Sequence, residues 1–170
     1  MKQYGFTVVE LVITIAIMGI LLTLAVVNVT STQVNARDVE RVSDVESIAS
    51  HLETFYKTDI VGGSAAGRYP STALLASGET SLKTFLPDID PISAIAPGAA
   101  DVATSFIPAT NAVQTTAGVL PQPTKTQYVY QPIQTAGTLC TAETQDCRKF
   151  AIYYRTEKDS IIKQIISKNQ

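Results

Sequence analysis

Residues 6–29 read FTVVELVITIAIMGILLTLAVVNV, and this stretch decides the fold. It consists mostly of Val, Ile and Leu, and Glu10 carries the only ionisable side chain between Phe6 and Ala36. A bilayer-spanning helix needs about 20 apolar residues, so the stretch is long enough to cross a membrane. A secretory signal would have a shorter apolar core, of about 7 to 15 residues, with a cleavage site of small residues after it. We therefore predict a membrane-spanning helix that stays on the mature protein.

A five-residue leader precedes this helix. Residues 1–5 carry Lys2 and end at Gly5, and the cleavage-like feature of this region, Tyr4-Gly5-Phe6, lies before the apolar run. A protease that cut there would leave the hydrophobic segment in place and expose the α-amino group of Phe6. By the positive-inside rule, Lys2 favours a cytoplasmic N-terminus with the rest of the chain outside.

Glu10 is an expensive residue in this position. A charged side chain costs about 2.5 to 3.5 kcal/mol at the bilayer centre and less near the interface, so an acid in a membrane span is by default a functional hypothesis. The amine that cleavage would create on Phe6 is a candidate partner, within one chain or between neighbours in a parallel bundle. The alternative is an acid tolerated at the interface end of an ordinary anchor.

The motif GFTVVE at residues 5–10, followed by the apolar run, closely resembles the class III signal shared by type IV pilins and type II secretion pseudopilins. This resemblance implies that prepilin peptidase cuts after Gly5 and N-methylates Phe6, and that Glu10 is required for assembly. In one respect the sequence departs from many members of the family: Val27, and not a proline, precedes Asn28.

Residues 30–58 continue as an amphipathic stalk. Apolar residues recur every three or four positions, which is typical of a helix with one buried stripe; they are Val34, Val39, Val42, Val45, Ile48, Ala49, Leu52, Phe55 and Tyr56. Because no Pro or Gly separates the stalk from the span after Gly19, we predict one helix from about Phe6 to Lys57. Its stripe requires a head domain to cover it.

Residues 59–170 form the predicted head. Small and glycine-rich residues 59–67 end the helix, a short helix is predicted within 71–86, and residues 87–123 read as a variable loop with a short strand at Ser105–Pro108. Residues 126–133, 148–157 and 160–167 are predicted strands, rich in Tyr, Ile and Val. In the second, Phe150, Ile152 and Tyr154 share one face. We predict an α+β, pilin-like fold: a long N-terminal helix packed on a small antiparallel sheet, as the resemblance also implies.

The sequence predicts a disulfide and no metal, cofactor or catalytic site. Cys140 and Cys147 are too few for structural zinc, which needs about four ligands, and a local disulfide suits a domain outside the cytosol. Asp88 and Asp90 alone do not supply the six to eight oxygens that calcium takes. His51 lacks a companion nucleophile motif and is interpreted as structural.

These features predict a non-enzymatic filament subunit. The resemblance implies as partners prepilin peptidase, an assembly ATPase, a platform membrane protein, other pilin subunits and further copies of the chain, with membrane lipid around the helix before assembly. The expected location is the cytoplasmic membrane first and an extracellular or periplasmic filament later. The 13 basic residues are scattered and the net charge is -2, so nucleic acid is not favoured as a partner. A secretion pseudopilin, a monomeric anchored binding or adhesion protein and, less favoured, an anchored hydrolase remain the alternatives.

Overall fold

The computed structural model of the chain describes residues 5–58 and 67–169, apart from the side chains of residues 25–28. The helical elements are α1 (Val8–Thr58), a 3-10 turn (Thr72–Leu75), α2 (Glu79–Phe85), a second 3-10 turn (Pro91–Ala94) and α3 (Val102–Ser105). The strands are β1 (Phe106–Pro108), β2 (Tyr128–Gln134), β3 (Cys147–Arg155) and β4 (Ile162–Ile166). Residues 1–4 of the predicted leader, Lys2 included, and residues 59–66 of the glycine-rich segment after the stalk lie outside the described residues.

Helix α1 confirms the prediction of one helix through span and stalk. The chain divides into two compact units, residues 1–36 and 37–170. In the second unit Val45, Ile48 and Leu52 are fully buried, as the apolar stripe predicts. Val39, predicted to belong to the stripe, is instead 69% exposed. At 100° per residue it lies almost opposite Arg41, and Arg41 is the residue buried one turn before Val45.

The α+β class is confirmed, but the sheet is mixed and not wholly antiparallel. Its strand order is β1-β2-β3-β4, and the pairs β2–β3 and β3–β4 are antiparallel. Strand β1 pairs with β2 in parallel, with Phe106 opposite Tyr128. A parallel pair needs a connection of about a dozen residues or more, and residues 109–127 are long enough to provide it.

The sheet has a core on each face. Phe150 and Ile152 pack in the larger core with the buried stripe of α1, as the strand alternation predicts. On the opposite face Ala151 and Tyr153 lie in a smaller cluster with Val119, which belongs to the connection between β1 and β2. The part of the chain predicted as a variable loop therefore covers one face of the sheet.

A buried ionic cluster fastens α1 to the turn between β3 and β4. Arg41 is 1% exposed, and its guanidinium donates to Asp38 at 2.9 Å and to the carbonyl oxygen of Lys125 at 2.9 Å. It also lies 3.4 Å from the carboxylate of Glu157, which pairs with Arg37 as well. Asp38 in turn accepts hydrogen bonds from the backbone N–H groups of Glu157 and Lys158, at 2.6 and 3.0 Å. Sequence patterns did not predict this cluster, because Arg41 lies 84 residues before Lys125 and 116 residues before Glu157.

The predicted disulfide is present. Cys140 and Cys147 are bonded, with their Cα atoms 5.9 Å apart. The carbonyl of Cys147 accepts from Tyr69 N at 2.7 Å, and that of Cys140 accepts from Thr72 N at 3.1 Å. Between the two cysteines, the Glu143 carboxylate accepts from both the backbone N–H and the hydroxyl of Ser71. The disulfide loop thus attaches residues 69–72, which follow the glycine-rich segment, to the sheet.

Candidate functional site

The start of α1 is closed by a reciprocal pair of side chains. The hydroxyl oxygen of Thr7 accepts from Glu10 N at 3.2 Å, and the Glu10 carboxylate accepts from Thr7 N at 3.2 Å and from its hydroxyl at 3.1 Å. This is the arrangement of a capping box, which satisfies backbone donors that a helix start leaves free. The negative charge also lies at the positive end of the helix dipole. The Glu10 carboxylate therefore has local partners in the uncleaved chain.

The first unit exposes apolar side chains in every direction around α1. The large apolar residues from Val8 to Leu24 that are exposed retain between 52% and 79% of their surface, and Phe6 retains 82%. By length and composition α1 could cross a membrane, and none of its most apolar 18-residue stretch is buried within the molecule. A helix that is apolar all round requires lipid or other apolar helices as its surroundings.

The polar side chains within this segment are satisfied by its own backbone. Thr14 donates its hydroxyl proton to Leu11 O at 2.8 Å, and Thr23 donates to Ile20 O at 2.7 Å. In hydrocarbon an unsatisfied polar group costs several kcal/mol, so internal bonding of this kind suits a lipid environment. Both threonines are therefore compatible with the predicted span.

The predicted cleavage position is exposed. A methyl group added at Gly5 would meet no atom within 4 Å, and the same holds for Gly19. Neither glycine is thus required by packing within the chain.

The other residues singled out in the sequence have local roles. His51 Nδ1 lies 2.8 Å from Ser47 O, one helical turn earlier. Asp90 caps the second 3-10 turn, where it accepts from Ile92 N at 3.0 Å. Within residues 5–58 and 67–169, no three His, Cys, Asp or Glu side chains come together as they would around a metal ion.

The contacts of Thr7 at this helix start were not predicted from the sequence. Its position three residues before an acid, ahead of an apolar run, is the sequence signature of a capping box and could have identified it. The structure brings Thr7 and Glu10 together, and the α-amine proposed as the partner of Glu10 does not exist before cleavage.

Comparison with known proteins supports the N-terminal features. Residues 1–26 match the family model described as the prokaryotic N-terminal methylation motif. This motif is the class III signal of type IV pilins and pseudopilins. It is a processing signal of structural proteins and not the mark of an enzyme family. No curated protein matches the chain significantly, and neither does any solved structure.

Proposed function

We propose that this chain is the precursor of a structural subunit of a type IV pilus-like filament, processed by prepilin peptidase and assembled through its N-terminal helix. The observation that carries the proposal is the match of residues 1–26 to the methylation motif, which extends into a helix whose large apolar side chains between Val8 and Leu24 are exposed in the described part of the chain. A class III signal and an exposed apolar helix fit anchoring in the membrane before assembly.

Before cleavage, the capping box makes Glu10 tolerable in the span. The backbone N–H and the hydroxyl of Thr7 both donate to its carboxylate. Charge-assisted hydrogen bonds of this kind offset part of the cost of placing a carboxylate near lipid. The precursor can therefore remain in the membrane before cleavage, with the Glu10 carboxylate close to the Gly5–Phe6 bond.

Cleavage after Gly5 changes the partners that are available. It removes Lys2, which takes the formal charge from -2 to -3, and frees the α-amine of Phe6. N-methylation leaves that amine cationic. In a bundle of parallel helices, the Glu10 carboxylate of one subunit then pairs with the amine of its neighbour, and this pair sets the axial register. The exposed apolar surface of α1 exchanges lipid for other helices, while the second unit, residues 37–170, forms the filament surface.

The partners follow from this route. Prepilin peptidase acts first, and an assembly ATPase with its platform membrane protein then moves the subunit into the filament with other copies and related subunits. The product is an extracellular or periplasmic fibre, and the subunit catalyses no reaction. A pseudopilin of a type II secretion system would use the same helix, and the two uses differ in the length and location of the fibre.

The first experiment is mass spectrometry of the mature N-terminus. We expect a chain that begins with N-methylated Phe6. Gly5→Val should block cleavage, because a branched side chain replaces the small residue that precedes the bond. Gly19→Ala is the control, since it changes a glycine within α1, away from the bond, and should leave cleavage intact.

The second experiment separates a filament subunit from a monomeric anchor. Glu10→Ala should be inserted and cleaved normally yet fail to form fibres in electron micrographs, because the amine of Phe6 would lack its carboxylate. An intact Met1 in wild-type material, or normal fibres from Glu10→Ala, would overturn the proposal and leave the anchored binding protein as the better interpretation.

A further inference from the structure

A cavity of about 610 Å³ lies in the second unit, where the last turn of α1 meets the start of β3 and the residues after β4. Three cationic residues line it, Arg148, Lys149 and Lys168, and Asp146 is the acidic residue among those that line it. The lining therefore carries three positive charges and one negative charge, a surplus of two, in a chain whose net charge is -2. Its volume lies in the range of small-molecule sites, roughly 300 to 1,000 Å³.

A β-bulge brings two of these cations together. Lys149 lies opposite Ile133 and Cys147 lies opposite Gln134, so Arg148 has no partner on β2. In a bulge two residues face one on the neighbouring strand, which redirects a side chain that would otherwise alternate to the other face. Consecutive residues Arg148 and Lys149 consequently line the same cavity.

The two lysines lie across from each other on neighbouring segments. Strands β3 and β4 pair Ala151 with Ile166, and the backbone continues in this register, since Ser167 N donates to Phe150 O at 2.9 Å. The next step places Lys168 opposite Lys149. Like charges directly opposite each other destabilise a sheet unless an anion lies between them.

The cationic groups differ in whether they already have partners. Arg148 pairs with Asp146 at 2.6 Å and donates to Gly67 O at 2.6 Å. Neither Lys149 nor Lys168 forms an ion pair with any acid in the described parts of the chain, 5–58 and 67–169. Two ammonium groups are thus available to a ligand that supplies only acceptors.

We infer that this cavity binds the phosphate group of a small sugar-phosphate-like ligand, held between Lys149 and Lys168. Lysine binds phosphate as a point charge, and two such charges across one cavity match a doubly charged anion. The cavity is far larger than one phosphate ion, so a sugar-sized group attached to the phosphate fits beside it. The Tyr56 hydroxyl and the side-chain oxygen of Asn169 offer a polar lining for that group, whereas the Asn169 amide nitrogen already donates to Glu53 and Tyr69.

Isothermal titration calorimetry on the full chain in neutral detergent tests this inference. A hexose phosphate should bind more tightly than inorganic phosphate, and the unphosphorylated hexose should not bind. Lys149→Gln/Lys168→Gln should weaken binding about tenfold or more, while the charge-matched control Lys158→Gln/Lys163→Gln should bind like the wild type. The affinity should fall as salt is raised, because the contacts are ionic.

Vesicles containing an anionic phospholipid form the third arm of the test. Binding to vesicles without binding to the hexose phosphate would place the phosphate on a lipid headgroup and overturn the small-ligand inference. Equal loss of affinity in both double variants would mean that net charge alone drives binding, and this would overturn the inference. Absence of binding in every arm would overturn it as well. Lys168→Gln alone, at an exposed position, serves if the double variant fails to fold. None of these outcomes bears on cleavage at Gly5.

Discussion

The guanidinium of Arg37 donates two hydrogen bonds of 2.8 Å each to the two carboxylate oxygens of Glu157, 120 residues later. Such a bidentate pair fixes orientation as well as distance. The same carboxylate is shared with Arg41, which is buried and cannot turn to water. Glu157 therefore joins the turn between β3 and β4 to α1.

Glu157→Gln should destabilise the protein by about 2 kcal/mol, because it removes one acid from a buried arginine and weakens a bidentate pair. Thermal or urea unfolding at neutral pH measures the change. The matched control is Glu79→Gln, since Glu79 pairs with Lys83 at 3.1 Å with both side chains more than half exposed. That surface pair should contribute less than about 0.5 kcal/mol. Equal effects of the two changes would contradict a special role for the cluster.

The contribution of Glu157 should disappear in acid. Hydrogen bonds from Arg37 lower the pKa of Glu157 from 4.5 to about 2. A carboxyl group whose pKa is lower in the folded state stabilises fully above its unfolded pKa and loses this contribution as the pH falls through the folded value. The difference between wild type and Glu157→Gln should thus be constant above about pH 4.5 and shrink towards pH 2. A difference that persists below pH 2 would contradict the ionic origin.

Asp44 should show the opposite dependence. Burial raises the pKa of Asp44 from 3.8 to about 6, against a hydrogen bond of 2.8 Å from the Tyr128 hydroxyl and with Glu40 and Arg41 nearby. The folded state favours the protonated carboxyl of Asp44. Its contribution to the free energy of unfolding is therefore greatest below pH 3.8 and is lost as the pH rises through 6.

Asp44→Asn should therefore stabilise the protein above pH 6, by about 1 kcal/mol once the half-exposed position is taken into account, and by less below pH 4. Urea unfolding at a series of pH values measures this, with the exposed Asp88→Asn as the control that should change little. A pH-independent effect of Asp44→Asn would show that the carboxyl does not titrate in this range.

Thr7→Val should reduce fibre yield without preventing cleavage. The change keeps the size of the side chain but removes a hydroxyl that both caps α1 and donates to Glu10, a loss of about 1 kcal/mol. Thr14→Val removes a similar hydroxyl that bonds only to Leu11 O and should leave the yield near that of the wild type. Quantitative electron microscopy compares the two. Equal losses from both would mean that the capping box has no part in assembly.

Removal of the disulfide, by Cys140→Ala/Cys147→Ala, should cost about 2 to 3 kcal/mol, since the bond closes a short loop in the unfolded chain. Thermal unfolding measures the loss, and reductant added to the wild type should reproduce it. Because this loop binds Tyr69 and Thr72, protease sensitivity should rise around residues 67–72 as well as within the loop. Unchanged melting would contradict the role given to the bond.

The sequence was informative where neighbours along the chain determine the outcome. The long N-terminal helix, the stalk stripe from Val45 to Phe55 and the strand alternation around Ile152 depend on local periodicity, and the structure agrees with them. That residues 6–29 cross a membrane stays a prediction. The disulfide was predictable because just two cysteines are available, close together.

The remaining features depend on contacts between distant parts of the chain. Glu157 neutralises the charge of Arg41 at a buried position of the helix. Sequence periodicity does not reveal this pairing. The parallel pairing of β1 likewise depends on the path of the connection, and the facing of Lys149 and Lys168 depends on strand register. Charge and hydropathy patterns carry no information about any of these.

The threonine hydroxyls of the apolar helix bear on how easily this helix could move from lipid to a surrounding of other helices. Since Thr14 and Thr23 keep their protons on carbonyls of the same helix, no hydrogen bond needs to be broken or formed there when hydrocarbon tails are replaced by side chains. Over that stretch these hydroxyls add no hydrogen-bond energy to the exchange, which leaves van der Waals packing and lipid entropy to govern it. In the assembly that we propose, these two hydroxyls therefore add no barrier of their own when the helix leaves lipid.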